Sequence, residues 1–185
     1  MLDQTARVWL PIGAAVILTT VVVAGFLTQP DRYELGYEPE QPLEFSHRLH
    51  AGDDGIPCEY CHSGAYRSRH AGVPPLDKCM NCHKVTKTDS EAIRTLTAAW
   101  EGDERWAWKR IHALPGHVYF DHRPHVRAGI ACQECHGRVE RMEVVSRELN
   151  MRMGTCLNCH RGDRTYYYGP TPEQSGPSNC WACHR

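Results

Sequence analysis

The chain has 185 residues, 10 cysteines and a formal net charge of −1 with its histidines neutral. After the first 27 residues, Leu, Ile, Val and Phe fill only 21 of 158 positions, or 13%, whereas below roughly 20% a chain usually buries too little apolar surface to fold. These numbers exclude a soluble enzyme with an ordinary hydrophobic core, and the lack of excess basic charge excludes a nucleic-acid-binding protein.

The first predicted element is a transmembrane helix. Residues Val8–Leu27 contain no charged residue over 20 positions, and a helix of that length spans a hydrocarbon layer of roughly 30 Å. A cleaved signal peptide is the alternative, but its apolar core is usually only about 7–15 residues long. We predict a retained single-pass anchor over residues 1–30, followed by an extended linker over residues 31–44 that contains Pro39 and Pro42.

All ten cysteines fall in five copies of Cys-x-x-Cys-His, the signature for covalent attachment of c-type haem. In this chemistry each thiol adds to one vinyl group of the porphyrin, and the imidazole that follows binds the iron on its proximal side. The pattern therefore predicts five haem c groups. The attaching cysteines are Cys58, Cys61, Cys79, Cys82, Cys132, Cys135, Cys156, Cys159, Cys180 and Cys183, and the proximal ligands are His62, His83, His136, His160 and His184.

Zinc and disulfide bonds explain this pattern less well than haem. Two of the spacings between motifs, 17 residues from Cys61 to Cys79 and 20 from Cys135 to Cys156, would suit a four-cysteine zinc site. Five cysteine pairs, however, do not divide into four-cysteine sites. Neither zinc nor a disulfide framework explains a histidine after every pair.

The haem motifs belong to a duplicated unit. Residues 45–84 and 120–161 each begin with Phe-x-His-x-x-His and each contain two haem motifs, and residues 162–185 add the fifth. Histidines three apart on a helical turn lie on the same face at different heights, so they can reach two different irons. We predict His47 and His122 as distal ligands for the first haem of their own units, and His50 and His125 as ligands that reach the neighbouring haem.

The fifth distal ligand is open at this point. His117 and Met142 are equal first choices. Met142 is a candidate because a single His/Met haem would have a raised potential beside bis-histidine partners. The other side chains that we considered are His70, His112, Met151 and Met153.

The sequence resembles the pentahaem cytochrome c subunit of alternative complex III, a membrane quinol-oxidising complex. The resemblance covers nearly the whole chain, and its Phe-x-His-x-x-His part is shared with class III-type multihaem cytochromes. It is carried by the apolar N-terminal helix, Phe45–His50, Cys79–Lys84, Leu114–His122, Met153–Cys156 and five haem sites in this order.

This resemblance implies polytopic and iron–sulfur partner subunits in the cell (inner) membrane. It implies a haem domain on the outer, periplasmic face, because resembling proteins receive their haems there. It also implies an outer-face electron carrier, either a cytochrome c or a copper protein.

The predicted fold is mainly α-helical and irregular, with short helices, long loops and little sheet. A pentahaem domain over residues 45–185 follows the anchor, and Asp89–Trp100 is predicted to be a helix. The predicted function is a non-catalytic electron relay through five haems to an outer-face acceptor. The alternatives are a multihaem reductase with one open haem, and an independent membrane-tethered quinol dehydrogenase that feeds a reductase.

Overall fold

The computed structural model describes residues 3–28, 35–169, 172 and 175–184. They form two units, which divide between Leu35 and Gly36. Residues 31–34 of the predicted linker lie outside the described residues, and its remaining part, up to residue 44, has no regular helix or strand.

The first unit contains one helix, Gln4–Leu27. It is 24 residues long, its mean hydropathy is 2.3, and none of its apolar window is buried. The helix is therefore long and apolar enough to cross a membrane, and a signal sequence near an N-terminus has the same features. It begins before the predicted apolar segment Val8–Leu27 and ends at the same residue.

The second unit contains short helices joined by long irregular segments. Its α-helices are Cys58–Cys61, Leu76–His83, Glu91–Glu101, His122–Arg127, Gln133–His136, Met153–His160 and Cys180–Cys183. A π-helix covers Arg48–Asp53, and 3₁₀ turns cover Ser63–Tyr66 and Val139–Arg141. Over the described residues the only β pairing is an isolated bridge between Val118 and His184. The predicted mainly helical and irregular fold is confirmed.

The predicted helix near residue 90 begins at Glu91, because Ser90 caps it by accepting a hydrogen bond from the Ile93 backbone N–H at 3.3 Å. Its apolar side faces the haem-motif helix Leu76–His83, and Met80, Ile93 and Leu96 form a buried apolar cluster between the two helices. Beyond this cluster, Ala99 and Met142 are the other apolar residues buried there. Five buried apolar side chains are few for a unit of this size, as the composition predicts.

Candidate functional site

Each haem motif lies on a helical turn that brings its two cysteines to one side. Residues three apart on a turn face the same way, so the two thiols of each motif are presented together and the histidine follows at or just beyond the end of the helix. All ten cysteines are free of disulfide bonds. The local fold therefore presents five pairs of thiols in the arrangement that haem attachment requires.

A second imidazole faces the histidine of each of the five motifs. The centroid distances are 6.5 Å for His47–His62, 6.0 Å for His50–His83, 6.3 Å for His122–His136, 5.9 Å for His125–His160 and 5.7 Å for His117–His184. Two imidazoles on opposite sides of one metal, each bonded at about 2 Å, have centroids about 6 Å apart. The residues present therefore fit five haem irons with two histidine ligands each.

The Phe-x-His-x-x-His elements set the positions of four of these rings. In each unit one phenylalanine ring packs against both histidines of its element and thereby fixes the angle between them. The centroid distances are 4.8 Å for Phe45–His47, 4.4 Å for Phe45–His50, 4.8 Å for Phe120–His122 and 4.6 Å for Phe120–His125.

Backbone carbonyls orient most of the paired imidazoles. When a carbonyl oxygen accepts a hydrogen bond from Nδ1–H, Nε2 is left free to bind a metal. On the motif side, the Nδ1–oxygen distances are 2.6 Å for His62–Gly72, 3.1 Å for His83–Thr86, 2.6 Å for His160–Pro177 and 3.3 Å for His184–His117. On the opposite side they are 2.8 Å for His50–Ser46, 2.8 Å for His122–Arg69 and 2.7 Å for His125–Asp121.

The third motif histidine has a different neighbour. His136 is packed edge to face against the ring of His112, with a centroid distance of 4.4 Å. The Nε2 atom of His112 is buried without a hydrogen-bond partner, and its backbone carbonyl accepts from Arg110 at 2.9 Å. We considered His112 only as a spare distal ligand, and no sequence motif marks it as a neighbour of a haem ligand.

The candidates for the fifth distal ligand lie in different surroundings. His117 is stacked on His184, with the ring planes 22° apart. Met142 is buried and its backbone is extended, because the preceding 3₁₀ turn ends at Arg141. His70 and Met153 are exposed. The geometry thus brings His117 to the fifth motif histidine.

Burial keeps several of these imidazoles neutral in the haem-free chain. Burial, followed by the proximity of the rings of His112, His122 and His62, lowers the pKa of His136 to about 3. Burial, followed by the proximity of His62 and His50, likewise lowers the pKa of His47 to about 4. The neutral imidazole is the form that binds iron, so these pockets favour the ligating state.

Comparison with known proteins agrees with this geometry. Residues 25–106 match the class III cytochrome C family, and residues 118–185 match cytochrome c7 and related cytochrome c. The first match contains two haem motifs and the second contains three. The chain therefore contains class III-type and c7-type multihaem cytochrome c domains.

One curated relative resembles nearly the whole chain. It is the menaquinone reductase, multiheme cytochrome c subunit, of Nitratidesulfovibrio vulgaris strain Hildenborough. The two sequences are 28% identical, and the match covers 94% of this chain and 90% of the relative.

Proposed function

We propose that this protein is a non-catalytic electron-relay subunit that holds five haem c groups. The observation that carries the proposal is the second imidazole facing every motif histidine, at centroid distances between 5.7 and 6.5 Å. With both axial positions supplied by the chain, no iron keeps a position for a substrate. Haem c held in this way carries one electron by cycling its iron between the ferric and ferrous states.

Carbon monoxide tests the relay directly, because it binds ferrous haem only where an axial position is open or easily vacated. The holoprotein, purified in mild detergent and reduced with dithionite, is expected to show five haems and no carbon monoxide adduct. Strong binding at one haem would overturn the relay and favour a multihaem reductase with one open site.

We further propose that the helix Gln4–Leu27 is a retained anchor and that the haem domain lies on the outer face of the membrane. The apolar segment exceeds the core of an ordinary signal peptide. The sequence resemblance to alternative complex III favours a quinol-oxidising complex, with polytopic and iron–sulfur partners and an outer-face carrier as acceptor. Recovery of the protein alone from mild detergent would contradict this and favour an independent quinol dehydrogenase.

The curated relative favours a second candidate, in which electrons flow in the opposite direction. That relative is named as a subunit of a menaquinone reductase, so its complex passes electrons to a quinone. The two directions are separated by mixing the purified complex with a menaquinol analogue, and in parallel by mixing the reduced complex with the matching quinone. Haem reduction in the first experiment supports quinol oxidation, whereas haem oxidation in the second alone supports menaquinone reduction.

A further inference from the structure

The first and second haem sites are in direct contact. The Tyr60 hydroxyl, within the first motif, accepts a hydrogen bond from the Asn81 side-chain amide, within the second, at 3.1 Å. The Phe45 ring packs against His47, which faces the first motif, and against His50, which faces the second. These contacts make the first and second sites neighbours.

The first site also contacts the third, although their motif histidines, His62 and His136, are 74 positions apart in the sequence. The side chains of Cys58 and Cys132 are adjacent. The carbonyl of Arg69, shortly after the first motif, lies 2.8 Å from Nδ1 of His122, the ring that faces the third motif histidine. The attachment points of these two haems therefore adjoin.

The third and fourth sites share a buried carboxylate. Glu134, between the two cysteines of the third motif, is only 1% exposed. It accepts hydrogen bonds from the backbone N–H groups of Tyr167 and Tyr168 at 2.6 Å each, and from the Arg164 guanidinium at 3.3 Å. Because these three residues follow the fourth motif, Glu134 joins the third site to the fourth.

The fourth site is held by the segment that leads into the fifth. The Nδ1 atom of His160 lies 2.6 Å from the carbonyl oxygen of Pro177, three residues before the fifth motif. Gly176 packs so closely on the same ring that an added Cβ would lie 2.6 Å from Cγ of His160.

We propose that the five sites form one series in the order second, first, third, fourth and fifth, so that the second and fifth motifs are the two ends of the electron path. The proposal rests on the relay function proposed above and adds its order. It differs from the order of the motifs along the chain, because the first unit enters the series in reverse. Partners then exchange electrons at Cys79–His83 and Cys180–His184, and the middle sites serve transfer within the chain.

The surface near the two ends fits this assignment. Among the described residues, the two most exposed large apolar side chains are Val85, at 84%, and Trp181, at 78%. Val85 lies two residues beyond the second motif, and Trp181 lies inside the fifth. Both ends of the proposed series thus present an apolar side chain to solvent.

A redox titration of two matched variants tests the order. Replacing a distal histidine by methionine raises the reduction potential of that haem. The altered haem then stays reduced while the neighbouring haems are titrated. Its changed charge shifts the potentials of those neighbours, and this interaction weakens with distance. His50→Met changes the second haem, at one end of the series, and is expected to shift the midpoint potential of one other haem. His122→Met changes the third haem, in the middle of the series, and is expected to shift the midpoint potentials of two other haems.

Each variant is first shown by haem staining to keep five haems. The order would be overturned if His50→Met shifted the midpoint potentials of two other haems, or if His122→Met shifted that of only one. A density map of the unsubstituted holoprotein provides the second measurement: the nearest neighbour of the second haem must be the first, and that of the fifth must be the fourth. A wrong order with no carbon monoxide binding would reject only this inference, whereas carbon monoxide binding would reject the relay itself.

Discussion

The imidazole of His112 meets that of His136 edge to face, with the ring planes 85° apart. The other four motif histidines each have a backbone carbonyl oxygen within 3.3 Å of Nδ1. The motif histidine of the third site is thus packed against a side-chain ring, whereas each of the other four motif histidines has a backbone carbonyl beside its Nδ1 atom. A ring packed against a ligand in this way restricts the orientation of the ligand, so we regard His112 as a positioning residue for the third haem.

The first prediction concerns His112→Phe, which keeps a ring of similar shape but removes both nitrogens. We expect the potential of one haem to change, because His136 loses the polar ring packed against it. Redox titration and low-temperature electron paramagnetic resonance should both show a change at one haem of five. His70→Phe is the control, since His70 is exposed. If His112→Phe changes neither readout, the contact serves packing alone.

The second prediction decides the fifth distal ligand. Removing the imidazole in His117→Ala is expected to leave the fifth iron with one axial position open, because His117 is the ring stacked on His184 at 5.7 Å. The reduced variant should bind one carbon monoxide per protein, while Met142→Leu should bind none. The opposite result, with carbon monoxide bound by Met142→Leu alone, would make Met142 the ligand.

The repeated element shows how far the sequence predicts this site. The spacing in Phe-x-His-x-x-His predicts one helical turn with both histidines on one face, and the second copy forms the α-helix His122–Arg127. The first copy instead forms a wider π-helix over Arg48–Asp53. There Gly52 lies against the Glu140 backbone so closely that it has no room for a Cβ. Such a long-range contact is invisible in the local sequence pattern.

His112 and Arg69 show why the remaining features could not be predicted. Neither residue belongs to a motif, and each acts on a ring far along the chain: His112 on His136, and the Arg69 carbonyl on His122. The cysteine signature specifies which groups are attached and through which atoms. The order of the sites depends on how the two units pack, and that packing is set by tertiary contacts.

The third prediction uses the close approach of Gly176 to the fourth motif histidine. Gly176→Ala would place its Cβ 2.6 Å from Cγ of His160, and the ring is held by its hydrogen bond to Pro177. We expect one haem of five to become high-spin in electron paramagnetic resonance, and the overpacking to cost about 1–3 kcal/mol of stability. Gly154→Ala is the matched control, since nothing lies within 4 Å of its added Cβ. Equal spectra for the two variants would contradict the prediction.

The fourth prediction is a pH dependence at the cap of the helix His122–Arg127. Asp121 accepts a hydrogen bond from the Arg123 backbone N–H at 2.9 Å, and the hydrogen bond from the Arg123 side chain is the main reason that the pKa of Asp121 is lowered to about 2. Because the folded pKa lies below the unfolded value of about 4, this contribution to stability is present above pH 4. It is lost as the pH falls from about 4 to 2.

Thermal unfolding of the holoprotein and of Asp121→Asn measures this contribution. The variant is expected to melt at a lower temperature at neutral pH, and the difference should shrink between about pH 4 and pH 2 as the carboxylate of the unsubstituted protein is protonated. Asp54→Asn is the control, since Asp54 is exposed and lies outside that helix. A difference that stays constant over this pH range would show that the charge of Asp121 does not stabilise the helix.

The fifth prediction concerns the chain without haem. The apolar residues buried among those described are Met80, Ile93, Leu96, Ala99 and Met142. The four larger of these side chains contribute roughly 1.5–3 kcal/mol each when buried, and Ala99 contributes less. Their sum is far below the free-energy cost of the conformational entropy lost in ordering more than a hundred residues. Porphyrins bound at the five motifs are therefore expected to supply most of the core, and protein made without haem attachment should show no cooperative thermal transition. The holoprotein, which differs only in its haems, is the control, and a cooperative native-like melt of the haem-free chain would show that the side chains alone suffice.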